Sequence, residues 1–453
     1  MKKSEQFVYT AAGLCALGGM LFGYDTGVIS SAILFIKDQF ALTSLNEEIV
    51  VSAVLAGALL GAGFAGRLVD LFGRREIIIA TAVIFGAAGL ATAFAPTVAW
   101  LIIGRLIIGI AIGAASFAVP LYISEVSPAE VRGKLVSFNQ LAITVGIVVS
   151  YLVGYIFAPM AGWRWMFGLA VVPAVILGIG MYFMPPSPRW LLSRGRESQA
   201  RQVLERIRAT RQVDQEFQEI RESLKVQSED WRELFNPSIR RALIVGAGLA
   251  IFQQITGINT VIYYAPTIFG LAGFKSASVA ILATVGVGIV NVLMTVLALA
   301  LLDKVGRRPL TLISLAGMVV SLMVLGFFFK FPGMPGIVAV AALMFYVGSF
   351  AIGMGPVFWL LIAEIYPLKI RGVAMSAVTL INWAANFVVA LTFLTLVNFA
   401  GAGPTFWLYG LVGVAALIFA WGFVPETNQR TLEEIEVSWI STRTTISIRK
   451  SSK

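Results

Sequence analysis

Twelve apolar runs dominate this sequence, at about 8-36, 48-71, 77-95, 98-124, 134-157, 164-184, 240-267, 277-302, 309-330, 336-363, 372-398 and 404-424. Each is roughly 20 residues or longer, enough as a helix to cross about 30 Å of hydrocarbon. Lipid offers the backbone no hydrogen-bonding partners, so runs of this length must satisfy their own N–H and C=O groups as helices. The composition agrees: 58% of the 453 residues are hydrophobic and only 13% are charged, too little polar surface to clothe a soluble domain. An all-α membrane protein with twelve transmembrane helices is expected. The first run follows Lys2 and Lys3, but it is too long for a signal peptide, lacks a small-residue cleavage site and carries Asp25, so it reads as a retained span.

Several chemistries drop out at once. A single cysteine, Cys15, excludes a disulfide framework and any multi-cysteine zinc site. Histidine is absent, which removes the commonest metal ligand and the side chain that titrates unperturbed near pH 7. Proton chemistry therefore falls to carboxylates. No metal, no cofactor and no nucleophile–base pair is expected, so an enzyme is not.

The formal net charge of +10 comes from 34 Lys and Arg against 24 Asp and Glu, and its placement matters more than its size. With a cytoplasmic amino terminus, the outer connections hold only Lys37, Arg164, Lys275 and Lys330, and Arg105 lies within a span. The other basic residues fall on the side of the termini, so the positive-inside rule places both termini in the cytoplasm. The charge expresses topology and attraction to anionic membrane lipid, not a nucleic-acid partner. The polar stretch between the sixth and seventh runs cannot sit in lipid. Within it Ala200, Val203, Leu204 and Ile207, then Val213, Phe217, Ile220 and Leu224, follow a helical stripe. Two cytoplasmic amphipathic helices, packed on the inner mouths of the spans, are expected.

The chain repeats itself. ISEVSPAEVRG from Ile123 aligns with IAEIYPLKIRG from Ile362, Asp70-Leu-Phe-Gly-Arg-Arg with Asp303-Lys-Val-Gly-Arg-Arg, and PPSPR from Pro185 with the VPETN around Pro425. Two pseudo-symmetric six-helix halves follow, at 1-184 and 240-424, with a helical linker at 185-239 and a cytoplasmic tail at 425-453. Such halves enclose a cavity near the bilayer midplane that rocking opens to one side and then the other.

With both GRR turns, both E-x6-R pairs, QQITGIN and the late PET in this order, the chain resembles the sugar porter family of the major facilitator superfamily over about residues 8-436. Bacterial members of that family include proton-coupled sugar symporters, and animal members include glucose facilitators. Asp70 with Arg74 and Arg75, Glu125 with Arg132, Asp303 with Arg307 and Arg308, and Glu364 with Arg371 all stand at cytoplasmic span ends. There they can bridge the halves as an inner gate, or cap helix ends and fix topology; both roles can hold. The sequence departs from the family at Pro186, where a glutamate is usual, and Glu426 is a candidate to take over part of that load.

Two ionisable groups lie well inside spans, Asp25 in LFGYDTG and Arg105 in LIIGRLIIG. Each costs roughly 2.5 to 3.5 kcal/mol unpaired on insertion scales, so they are expected to face each other within the first half. Parting them would let Asp25 take a proton. Proton-coupled members of the family carry an aspartate and an arginine here, which implies that Asp25 carries the proton and Arg105 modulates it. A fixed structural pair in a uniporter is the competing reading.

A sugar needs amides that both donate and accept, beside aromatic planes. Gln253, Gln254 and Asn259 crowd the seventh span in a density hard to assign to helix packing alone. The resemblance adds Gln140, Asn291, Trp359 and Asn382 as residues that bond or stack on sugar, with Phe22, Gly355 and Trp383 lining the pocket and Tyr263 and Tyr264 as an outer gate. GMGP, Gly353 to Pro356, breaks the tenth span. Met354 and Phe358 stand where the family has prolines, which predicts a stiffer hinge. The sequence thus points to a proton-coupled symporter for a monosaccharide, a glucose-like hexose first, working as a monomer in a bacterial-type plasma membrane. A uniporter and a non-transporting sugar sensor are the alternatives.

Overall fold

The computed structural model describes residues 3–210, 212–226, 231–235, 239–331, 333–367 and 370–428. The tail from 429 onward and the side chain of Asp303 lie outside the described residues. Among these residues the chain is helical throughout, with twelve helices long and apolar enough to cross a membrane. They are Gln6–Phe40, Ser44–Phe72, Arg74–Ala93, Val98–Val126, Val131–Met160, Trp163–Tyr182, Arg240–Leu271, Ala277–Leu302, Arg307–Lys330, Ile337–Glu364, Arg371–Ala400 and Ala402–Phe423. Every expected span is present, with ends shifted by a few residues where caps extend the apolar run. Thr43, for example, accepts from the Asn46 N–H at 3.3 Å and starts the second span at Ser44, ahead of its apolar stretch.

The GRR turns show why the repeat exists. Gly73 and Gly306, with φ of 103° and 96°, each end one span and begin the next within a single residue. A side chain at either would need the left-handed region and would also strike a carboxylate, that of Glu76 or Glu426. Within the first half, Gly57 and Gly109 let the second and fourth spans touch backbone to backbone, a Cβ on either running into a carbonyl of the other. Gly23 and Gly146 do the same for the first and fifth spans.

The first span is the most enclosed, with 78% of its apolar window buried against 33% for the sixth and twelfth. The halves meet where the second span packs on the eleventh, the fifth on the eighth, and the first on the outer part of the seventh. Bulky side chains on the outer faces, such as Phe64, Ile103, Ile179, Leu293 and Leu411, remain exposed to what would be lipid. The linker forms helices Pro188–Ser193, Glu197–Arg208 and Asp214–Val226. Ala200, Leu204, Val213 and Phe217 bury against Trp190 and Leu191, and Arg208 donates to the Val126 carbonyl at 2.8 Å, seating the linker on the fourth span.

Candidate functional site

Asp25 and Arg105 meet inside the first half, as their cost in lipid demands. Arg105 Nη1 lies 3.1 Å from Asp25 Oδ1, with the side chains 0% and 3% exposed. The fork is only half used. Arg105 Nε donates to the Val50 carbonyl at 3.1 Å, the guanidinium lies 5.7 Å from the Phe167 ring centroid, and both Arg105 Nη2 and Asp25 Oδ2 lack a hydrogen-bond partner. A single-pronged pair gives up the strength of the bidentate arrangement and leaves one carboxylate oxygen unclaimed.

The second half gathers amides. Asn382 Nδ2 donates to Gln253 Oε1 at 2.8 Å and to the Ala250 carbonyl at 3.1 Å; Gln254 Nε2 donates to Asn382 Oδ1 at 3.1 Å; Asn259 Nδ2 donates to Gln254 Oε1 at 2.7 Å. The break at Gly257, φ 93°, turns Asn259 back toward Gln254. Phe22 of the first half faces Trp383 with ring centroids 5.5 Å apart, and the indole Nε1 of Trp383 has no partner. Gln140 is half-buried on the fifth span, Asn291 is buried on the eighth, and both stand outside the amide network. Trp359, 37% exposed, lies edge-on to Phe358, and Gly355 is held against the Phe350 ring.

The two tyrosines separate. Tyr264 turns into the second half, donating to the Ala390 carbonyl at 3.2 Å and packing on Phe393, whereas the Tyr263 hydroxyl accepts from Asn386 Nδ2 at 3.4 Å. Asn386, one turn beyond Asn382 and buried, keeps an unpartnered Oδ1. Sequence reasoning passed over it; the Asn382–Asn386 spacing of four, which stacks both amides on one face, was the available signal. Ser314 was missed as well. Its Oγ accepts from the Met354 N–H at 3.0 Å, while the Met354 carbonyl accepts from Gln253 Nε2 at 3.1 Å. Both backbone groups of the residue that replaces a proline are thus clamped by neighbouring spans.

At the linker end each half closes on itself. Arg74 Nε lies 2.9 Å from Glu125 Oε2 and its Nη1 lies 3.2 Å from Asp70 Oδ1, with the Ser187 hydroxyl also on Glu125. Arg75 donates to the Met181 carbonyl, and Arg132 to the Ser127 carbonyl. In the second half Arg307 pairs with Glu364 at 3.0 Å, Thr427 takes the place of Ser187, and Arg371 donates to the Tyr366 carbonyl. Glu426 accepts from the N–H groups of Arg307 and Arg308 at 3.0 and 3.1 Å, capping the ninth span; Arg308 itself reaches the Trp421 carbonyl. Glu426 therefore serves its own half in this conformation. Here the described ion pairs at that end stay within a half, and among the described residues the hydrogen bonds between halves lie toward the opposite end.

A family model described as "Sugar (and other) transporter" matches residues 11–439. The chain belongs to the sugar transporter family. It is a transporter, not an enzyme. It is 45% identical over 443 residues to a D-xylose transporter of Levilactobacillus brevis, covering 96% of both chains. It is 40% identical over 445 residues to a galactose-proton symporter of Escherichia coli, covering 96% of this chain and 95% of the relative. Among solved structures, the xylose transporter XylE from E. coli in a partially occluded inward-open conformation superposes with a TM-score of 0.83 at 36% identity, over 94% of this chain and 100% of that one. These matches establish the sugar transporter family, the major facilitator fold and a multi-pass plasma-membrane protein.

Proposed function

We propose that this transporter moves a monosaccharide, a glucose-like hexose first, together with a proton, by alternating access between halves 1-184 and 240-424, working as a monomer. The observation that carries the reading is the buried, single-pronged Asp25–Arg105 pair, in the half opposite the cluster of Gln253, Gln254, Asn259 and Asn382. A buried carboxylate with one oxygen free is suited to taking a proton when its guanidinium partner moves away. The amides and the Phe22–Trp383 faces suit a polyhydroxylated ring. A galactose-proton symporter and a D-xylose transporter among the relatives support the same chemistry.

By the positive-inside rule the linker end and both termini face the cytoplasm. The Glu125 and Glu364 networks then form an inner gate that is parted here, and Tyr263 belongs to the closed outer side. Met354, held by Ser314 and Gln253, links the sugar site to the tenth-span hinge. In proteoliposomes with an inward proton gradient, wild type is expected to accumulate its sugar above the outside level, with glucose, galactose and xylose screened in turn. Asp25→Asn should lose accumulation while still exchanging labelled for unlabelled sugar. Wild type that only equilibrates sugar, whatever the gradient, would leave a facilitator.

A further inference from the structure

We infer that Glu48 and Thr395 form the latch that holds the end opposite the linker shut, an inference that rests on the alternating-access reading above. Glu48 lies one turn into the second span, near its outer end, yet its exposure is 0%. Its neighbour Lys37 pairs with Glu47 instead, at 3.3 Å. Both Glu48 oxygens are spent on a single residue of the other half. Thr395 of the eleventh span donates its backbone N–H to Oε1 at 2.8 Å and its hydroxyl to Oε2 at 2.6 Å. Asn398 Nδ2 donates to Ser44 Oγ at 2.9 Å. Ser44 and Glu48 are four residues apart, and Thr395 and Asn398 three, so two facing helical stripes are joined over successive turns.

The fifth and seventh spans add a third tie. Pro266 has no N–H, which leaves the Ile262 carbonyl four residues earlier without its helical partner. The Tyr151 hydroxyl of the first half donates to that carbonyl at 3.1 Å. A proline-vacated acceptor in one half is thus satisfied by a donor from the other, and only while this end is closed.

The carboxylate makes the latch conditional. Buried charge without hydrogen bonds is heavily penalised, so the closed end tolerates Glu48 only while Thr395 supplies both donors. When the halves part there, water can supply them instead, and the open end carries no such requirement. The latch therefore favours either full closure or full opening over a dry, half-separated seam. A change that removes one Thr395 donor weakens the closed state alone and shifts the population toward the open one.

The test places spin labels at Phe94→Cys and Phe331→Cys, exposed residues at that end of the two halves, with Cys15→Ser in the background. Distances are read by pulsed electron resonance without sugar or gradient. Thr395→Val is expected to lower the closed-to-open ratio by roughly fivefold or more, and Thr395→Ser, which keeps the hydroxyl, to restore it. In a Glu48→Ala background the Thr395→Val shift should vanish. An unchanged distribution in Thr395→Val, or an equal shift with and without Glu48, overturns the latch. Because no substrate is present, these distances stand independently of the proposed sugar and proton; failure of gradient-driven uptake would sink the symport reading and leave the latch result intact.

Discussion

At the scale of single residues, the second half binds its amides to one another before any sugar is present. Asn382 is the hub, touching Gln253, Gln254 and the Ala250 carbonyl. Asn382→Leu would remove one group and strand several others, and stranded buried polar groups cost more than the mean worth of a hydrogen bond. We expect sugar affinity to fall about tenfold or more, equivalent to about 1.4 kcal/mol, in a binding titration; unchanged affinity would place the sugar elsewhere. Much of this was legible as residue types: Gln253, Gln254 and Asn259 announce themselves as amides in lipid, and Asp25 and Arg105 as charges that need each other. Orientation was not. Tyr263 and Tyr264 are adjacent in sequence, and only the turn at Gly257 and the Phe393 contact send Tyr264 into the second half. Glu48 looks like an ordinary charge flanking a span, because nothing local reveals that Thr395, 347 positions away, covers it.

At the scale of elements, one difference between the repeats bears on how a span is capped. Glu426 closes the start of the ninth span through the amides of Arg307 and Arg308. Its counterpart in the first half is Pro186, which has no carboxylate to offer the third span. Glu426→Ala should lower stability by about 0.5 to 2 kcal/mol, the usual worth of a helix N-cap. Pro186→Glu should recover part of that amount for the first half. Thermal melting in detergent checks both; a Glu426→Ala protein that melts with wild type would show that the cap is not used. Span number and linker helices were readable because lipid thickness and helical periodicity impose lengths and spacings that a sequence must display. The clamp on Met354 was not, since Ser314 and Gln253 reach it from different spans. At that hinge an N–H that proline lacks is present and bound.

At the scale of the whole molecule, among the described residues the halves touch by hydrogen bonds at one end while the ion pairs at the other end each stay within a half. That asymmetry is what the proposed alternating access requires of a carrier on one side of its cycle, with the Asp25–Arg105 pair buried in one half and the amide cluster in the other. Coupling then means that neither sugar nor proton crosses productively alone. The most direct measurement is the current evoked by a sugar jump on proteoliposomes adsorbed to a solid-supported membrane. Wild type should give a transient current whose sign is that of positive charge entering with sugar, and Asp25→Asn should give none while retaining labelled-sugar exchange. A wild-type protein that equilibrates sugar without any current, or an Asp25→Asn protein with the wild-type current, would contradict the account.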